Sequence, residues 1–141
     1  LAELEISSSV GINLVGTVNQ GQGASGGSLI QTFAYKTTIG LSTQEDVLAG
    51  AQIFMGSADY LGLIAEYAIE TSAGARRFGT VEVVFDNAQA QFVDSSTVDV
   101  GGTTQDVFFQ AGGDPLELII TNGSPSSTVD IAMSFKLISV P

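Results

Sequence analysis

Chemistry on this chain would have to come from carboxylates. Asp94, Asp99, Asp106, Asp114 and Asp130 are scattered through the loops and turns of its second half, and two uses suit acidic side chains of that kind. Calcium takes about six to eight oxygens, mostly from acids closely spaced in one loop, and the DxDxDG spacing is missing. A glycosidase needs two carboxyls flanking the scissile bond; nothing singles out a pair here, and there is no Trp to act as a sugar platform. His and Cys are absent as well, which removes Ser-His-Asp and Cys-His nucleophiles, ordinary zinc sites and disulfides. The five acids are therefore read as solvated loop residues. The chain is expected not to be an enzyme, with no catalytic, cofactor-binding or metal-binding residue and no cofactor.

Fifteen Asp and Glu against four Lys and Arg leave a formal charge of −11. Such a surface repels nucleic-acid phosphates and anionic membranes alike, so neither is an expected partner. No apolar run approaches the roughly 20 residues that cross a bilayer. The chain opens on Leu1 rather than Met, and the expectation is that a preceding segment was cut away or left out. Half of the cations stand together as Arg76 and Arg77. On a strand, adjacent side chains point to opposite faces, which leaves one arginine to brace a carboxylate such as Glu66 or Glu82 and the other to reach a partner. Arg76, Arg77 and Phe108 are the candidate interface residues of the main domain.

The elements that must position these residues are strands. From Tyr60 to Glu70, Leu61, Leu63, Ala65, Tyr67 and Ile69 take alternate positions; from Phe78 to Asp86, Val81, Val83 and Phe85 alternate with Thr80, Glu82 and Asp86. Period two with carboxylates outside predicts a half-buried antiparallel hairpin. Similar alternation predicts strands from Leu29 to Ile39, with Phe33 and Tyr35 inward, from Leu116 to Thr121, and from Val129 to Leu137. Ile53 and Met55 predict a short strand with Phe54 turned away. Between Gly40 and that strand, Ser42 and Glu45 have capping-box spacing for a short helical turn; a polar loop or edge strand is the other reading. In Phe108–Phe109 one ring must face away from the other. At 141 residues the chain suits one domain that buries roughly two thirds of its unfolded surface. Eight to ten strands with no helix of ten residues predict an all-β, jelly-roll-like two-sheet sandwich over residues 29–141.

Residues 1–28 are read as an N-terminal arm followed by a glycine-rich linker from Asn19 to Ser28. The arm is too apolar for a free tail, through Leu4, Ile6, Ile12 and Leu14 among others, and these four are its candidate partner-binding residues. A slack ten-residue Gly-rich tether spans about 16 to 19 Å, enough to reach an adjacent subunit. Folding back onto its own sandwich is the alternative.

The run AEYAIETSAGARRFGTVEVVFD, then DSSTVDV, then DVFFQAGGDPLELIITNG and a closing VDIAMSFKLISV resembles a pattern recurring in tailed-bacteriophage virion proteins. Its positions here are Tyr67 and Ile69; Arg77, Gly79, Thr80, Val81, Val83 and Asp86; Leu116, Leu118 and Thr121; and Ser134, Lys136 and Ile138. The resemblance covers about the last two thirds of the chain. It implies a head decoration or cement protein on the capsid surface of a virion, bound to the major capsid protein and to copies of itself, with a homotrimer favoured. The competing class is a carbohydrate-binding module or an adhesin or tail-fibre domain, since jelly rolls serve both.

Overall fold

The computed structural model of the chain describes residues 19–20 and 30–141, with side chains from Thr32 onward. Its elements are β1 (Asn19–Gln20), β2 (Ile30–Ile39), β3 (Thr43–Asp46), a helical turn α1 (Val47–Gly50), β4 (Tyr60–Thr71), β5 (Arg76–Phe85), β6 (Ala90–Ser96), β7 (Val107–Gly112), β8 (Glu117–Asn122) and β9 (Val129–Ser139). They form two antiparallel sheets, a broad one in the order β1-β2-β9-β4-β5-β6 and a narrow one in the order β3-β8-β7. The all-β two-sheet sandwich is as expected. No helix among the described residues is long and apolar enough to cross a membrane.

β4 is the spine of the broad sheet. Its odd residues face the narrow sheet, and the register sets Ala65 between Val81 of β5 and Phe135 of β9, and Leu63 between Val83 and Leu137. All six are buried. Leu118 and Ile120 of β8 and Phe109 of β7 close the core from the narrow sheet. Burial of each large apolar side chain is worth about 1.5–3 kcal/mol, so the contiguous inner face supplies most of what holds the sheets together.

Tyr67 and Gly79 are paired across β4 and β5. A Cβ at position 79 would come within 2.5 Å of the Tyr67 hydroxyl oxygen and 2.7 Å of the Ser95 carbonyl oxygen. The missing side chain lets the phenol cross β5 and donate to Asp94 of β6 (2.6 Å). The ring meanwhile lies 4.9 Å from that of Phe109 at an interplanar angle of 52°.

Several expectations are refined. The hairpin is where the alternation placed it, yet its strands run further into the turn, leaving only residues 72–75 between them. Leu61, on the inward parity, is exposed because the register shifts between Tyr60 and Gly62. The Ile53–Met55 segment keeps its predicted alternation, with Ile53 and Met55 buried and Phe54 exposed, but it is a connection rather than a strand. Met55 offers its carbonyl to Leu116 N–H and joins no ladder. Residues 43–46 take the edge-strand alternative, and the helical turn starts one step later. Its cap is Asp46, whose carboxylate accepts from Leu48 N–H at 3.1 Å. Asn19 and Gln20, read as the start of the linker, pair with Gln31 and Ile30. The arm residues Leu4, Ile6, Ile12 and Leu14, and Leu29, lie outside the described residues.

Candidate functional site

Of the five acids read as loop residues, Asp94 and Asp130 lie on strands β6 and β9, and Asp99, Asp106 and Asp114 on connections; the side chains of all but Asp106, whose backbone carbonyl accepts from Gly123 N–H, have local partners. Asp94 receives the Tyr67 hydroxyl. Asp99 accepts from the Thr104 hydroxyl (2.6 Å) and N–H (2.7 Å), and these bonds hold its carboxyl below the usual range. Asp114 is lowered in the same way by the Ser57 hydroxyl and N–H. Asp130 accepts from Thr38 at 2.6 Å. Among the described residues no three Asp or Glu side chains come together as a metal-holding group.

Arg76 and Arg77 do point to opposite faces. Arg77 turns inward over the Tyr67 ring, 5.6 Å from its centroid, and donates to the Thr104 hydroxyl (3.1 Å) and the Val107 carbonyl (3.2 Å). It thereby pins the 97–106 connection to β5. Arg76 turns outward and pairs with Glu70, its cross-strand neighbour, in place of the expected Glu66 or Glu82. Phe108 is the exposed member of its pair, on the outside of the narrow sheet, while Phe109 is buried. Arg76, Arg77 and Phe108 therefore sit on three separate faces.

Burial, reinforced by the bond to Asp94, pushes the Tyr67 phenol up to about 12. A group whose folded pKa is raised contributes stability below its unfolded value of about 10, and that contribution is lost as pH rises from about 10 through about 12. Urea unfolding at pH 9 and pH 11 should therefore show a steeper alkaline loss for the native chain than for Tyr67→Phe. Equal losses would mean the phenol is not held neutral by the fold.

What the fold assembles without a signal in any one segment is the outer face of the broad sheet. Registers across β2, β9, β4 and β5 align its outward residues in rows. Thr38, Asp130, Glu70 and Arg76 form the first, and Lys36, Ala132, Ala68 and Phe78 the second. Ala34, Ser134, Glu66 and Thr80 follow, then Thr32, Lys136, Ile64 and Glu82. Ile138, Gly62 and Val84 make the last. β6 extends the face with Val93 beside Glu82. Phe78, Val84 and Val93 are 54%, 51% and 60% exposed; Val84 and Val93 lie beside Ile64 and Ile138 at one end of the face, and Phe78 stands three rows from Val84 on the same strand.

Two open hollows mark this face. One of ≈ 910 Å³ has Ala68 and Ala132 as its floor and Phe78, Val100 and Lys36 as its walls. The other, of ≈ 410 Å³, opens beside Gly62 among Ile64, Val84, Val93 and Ile138. A Cβ on Gly62 would collide with the Val83 carbonyl oxygen, so the strand register itself keeps that hollow open. Alternation alone showed which residues point outward; it could not show that β5 and β9 flank the same strand. No family model, curated protein or solved structure matches the chain.

Proposed function

We propose that the chain is a non-enzymatic structural protein of a multi-copy particle, of the kind represented by the head decoration or cement proteins of tailed phages, and that it works through protein–protein contact. The observation that carries this reading is the outer face of the broad sheet, a wide surface of exposed Phe78, Val84 and Val93 set among charges on a protein otherwise strongly acidic. The apolar sequence of the arm supplies a second contact, to the major capsid protein or to a neighbouring copy.

A sugar-binding module is the second reading. It is favoured by the larger hollow, whose lining combines Lys36, Thr38, Glu70, Arg76 and Asp130 with Phe78 in a volume suited to a small ligand.

Co-sedimentation with purified heads and retention on immobilised glycans separate the two. The full chain should travel with heads and pass through the glycan columns, and a chain lacking residues 1–28 should bind heads at least about ten-fold more weakly, roughly 1.4 kcal/mol. Equal binding by the truncated chain removes the arm as a clamp. Glycan retention by a monomer that ignores heads replaces the structural reading with the sugar-binding one.

A further inference from the structure

We infer that the partner on the outer face of the broad sheet is a second copy of this chain, stacked face to face about a two-fold axis that runs along β4. The inference rests on the reading of that face as a protein-docking surface and names its occupant.

Charge selects the face. Of the chain's four cations, Lys36, Arg76 and Lys136 point outward from the broad sheet, against the four carboxylates of Glu66, Glu70, Glu82 and Asp130. The face is thus net −1, and the rest of the chain carries −10 of the formal −11. A face that is almost neutral and carries both signs lets two copies meet with little repulsion. Size agrees. Five strands spaced by about 4.8 Å and about ten residues long give a footprint of roughly 24 by 33 Å, about 800 Å². That matches the roughly 800 Å² per partner of a standard stable interface.

The register makes the face self-complementary. Because β5 and β9 flank β4 at equal distance, rotation about β4 lays β5 of one copy over β9 of the other, row upon row. Arg76 then stands over the partner's Asp130. Phe78 stands over the partner's Ala132, where the small side chains leave the larger hollow. Thr80 meets the partner's Ser134, Glu82 meets the partner's Lys136, and Val84 meets the partner's Ile138. The same five contacts recur with the copies exchanged, as an isologous interface requires. Stacked sheets pack about 10 Å apart, and an axis along β4 leaves the strands of the two copies parallel, so the rows stay in register. The short Thr80 and Ser134 occupy the middle row, and the long Arg76 and Lys136 occupy rows on either side of it. On the axis itself Ile64 meets the partner's Ile64, Glu66 meets the partner's Glu66, and Glu70 meets the partner's Glu70 beside the Arg76 that pairs with it. The Glu66 pair has no cation of its own row beside it and reports the register. This pairing closes on two copies, where the sequence led to an expectation of three.

The test is sedimentation velocity on the full chain over a concentration series, with Lys136→Glu, Glu82→Lys, their equimolar mixture, and Glu66→Gln. The native chain should dimerise, and each charge reversal alone should weaken the dimer at least about ten-fold. The mixture should recover it, because the carboxylate introduced at position 136 of one copy then meets the ammonium introduced at position 82 of the other. Glu66→Gln should tighten the native dimer. All substitutions are at exposed positions, and unchanged far-UV circular dichroism confirms that each variant is folded. A native chain that stays monomeric to about 100 µM, well above the μM affinities of ordinary specific complexes, overturns the inference, as do single reversals that dimerise like the native chain. The docking reading survives a monomeric result if Lys136→Glu still loses binding to heads, and falls with the inference if that variant changes neither mass nor head binding.

Discussion

Replacing Phe135 by Ala should cost the fold about 3–5 kcal/mol. Phe135 is fully buried on β9, with Ala65 of β4 on one side and Phe33 of β2 on the other. Its neighbour Ala65 has only a methyl group, too short to refill the space, and the strands on both sides are held by their ladders, so the cavity stays open. Phe85, 5% exposed on the inner face of β5, should behave in the same way at the lower end of that range. Equilibrium unfolding in urea reads the loss directly. A change below about 1 kcal/mol for Phe135→Ala, the scale of an ordinary surface substitution, would mean that the inner and outer faces of the broad sheet have been exchanged.

Asn122→Ala should cost about 3 kcal/mol, at about 1–3 kcal/mol for each polar group left without a partner, here the Ser127 carbonyl and the Ser124 N–H, since the Gly40 carbonyl also accepts from the Thr43 hydroxyl. Asn122 is 0% exposed at the end of β8. Its amide donates to the Gly40 carbonyl (2.9 Å) and the Ser127 carbonyl (2.8 Å), and its oxygen accepts from Ser124 N–H (3.0 Å). One side chain thus ties the turn after β2 to the connection before β9. Asn122→Asp is the sharper variant, because it keeps the acceptor and aims a carboxylate at two carbonyls in place of the donor. It should unfold at least as readily as Asn122→Ala by the same urea measurement. If Asn122→Asp proves as stable as the native chain, the two turns are not held by this amide.

The strands that could be read from sequence are those with one dry and one wet face. β5, β9 and β4 from Leu63 onward alternate dry and wet faces, and their inward residues Tyr67, Val83 and Met133 are buried as the parity required. β6 gave little signal because every residue after Ala90 is exposed: it is the edge strand of the broad sheet, and neither parity is dry. The Ile53–Met55 segment alternated because it is pinned against the core, and burial of alternate side chains does not require a ladder partner. Opposed faces for Arg76 and Arg77 followed from strand geometry alone. The identity of the bracing carboxylate did not, since it depends on the hairpin register that sets Glu70 beside Arg76. The outer face was illegible for the same reason on a larger scale. Its rows join β5 to β9 across β4, strands far apart in the chain, and parity says which residues point out without saying which strands are neighbours.

Carboxyl labelling read by mass spectrometry, on the dilute free chain and on the chain bound to particles, tests most directly whether the outer face is the contact surface. Glu66, Glu82 and Asp130 lie on that face, while Asp86, Asp114 and Glu117 lie elsewhere, and all six are exposed. Burial of the outer face predicts that the first three are labelled far more slowly on the particle, with the second three unchanged. Equal labelling of Glu66, Glu82 and Asp130 in the two states, or protection confined to Asp86, Asp114 and Glu117, would contradict it.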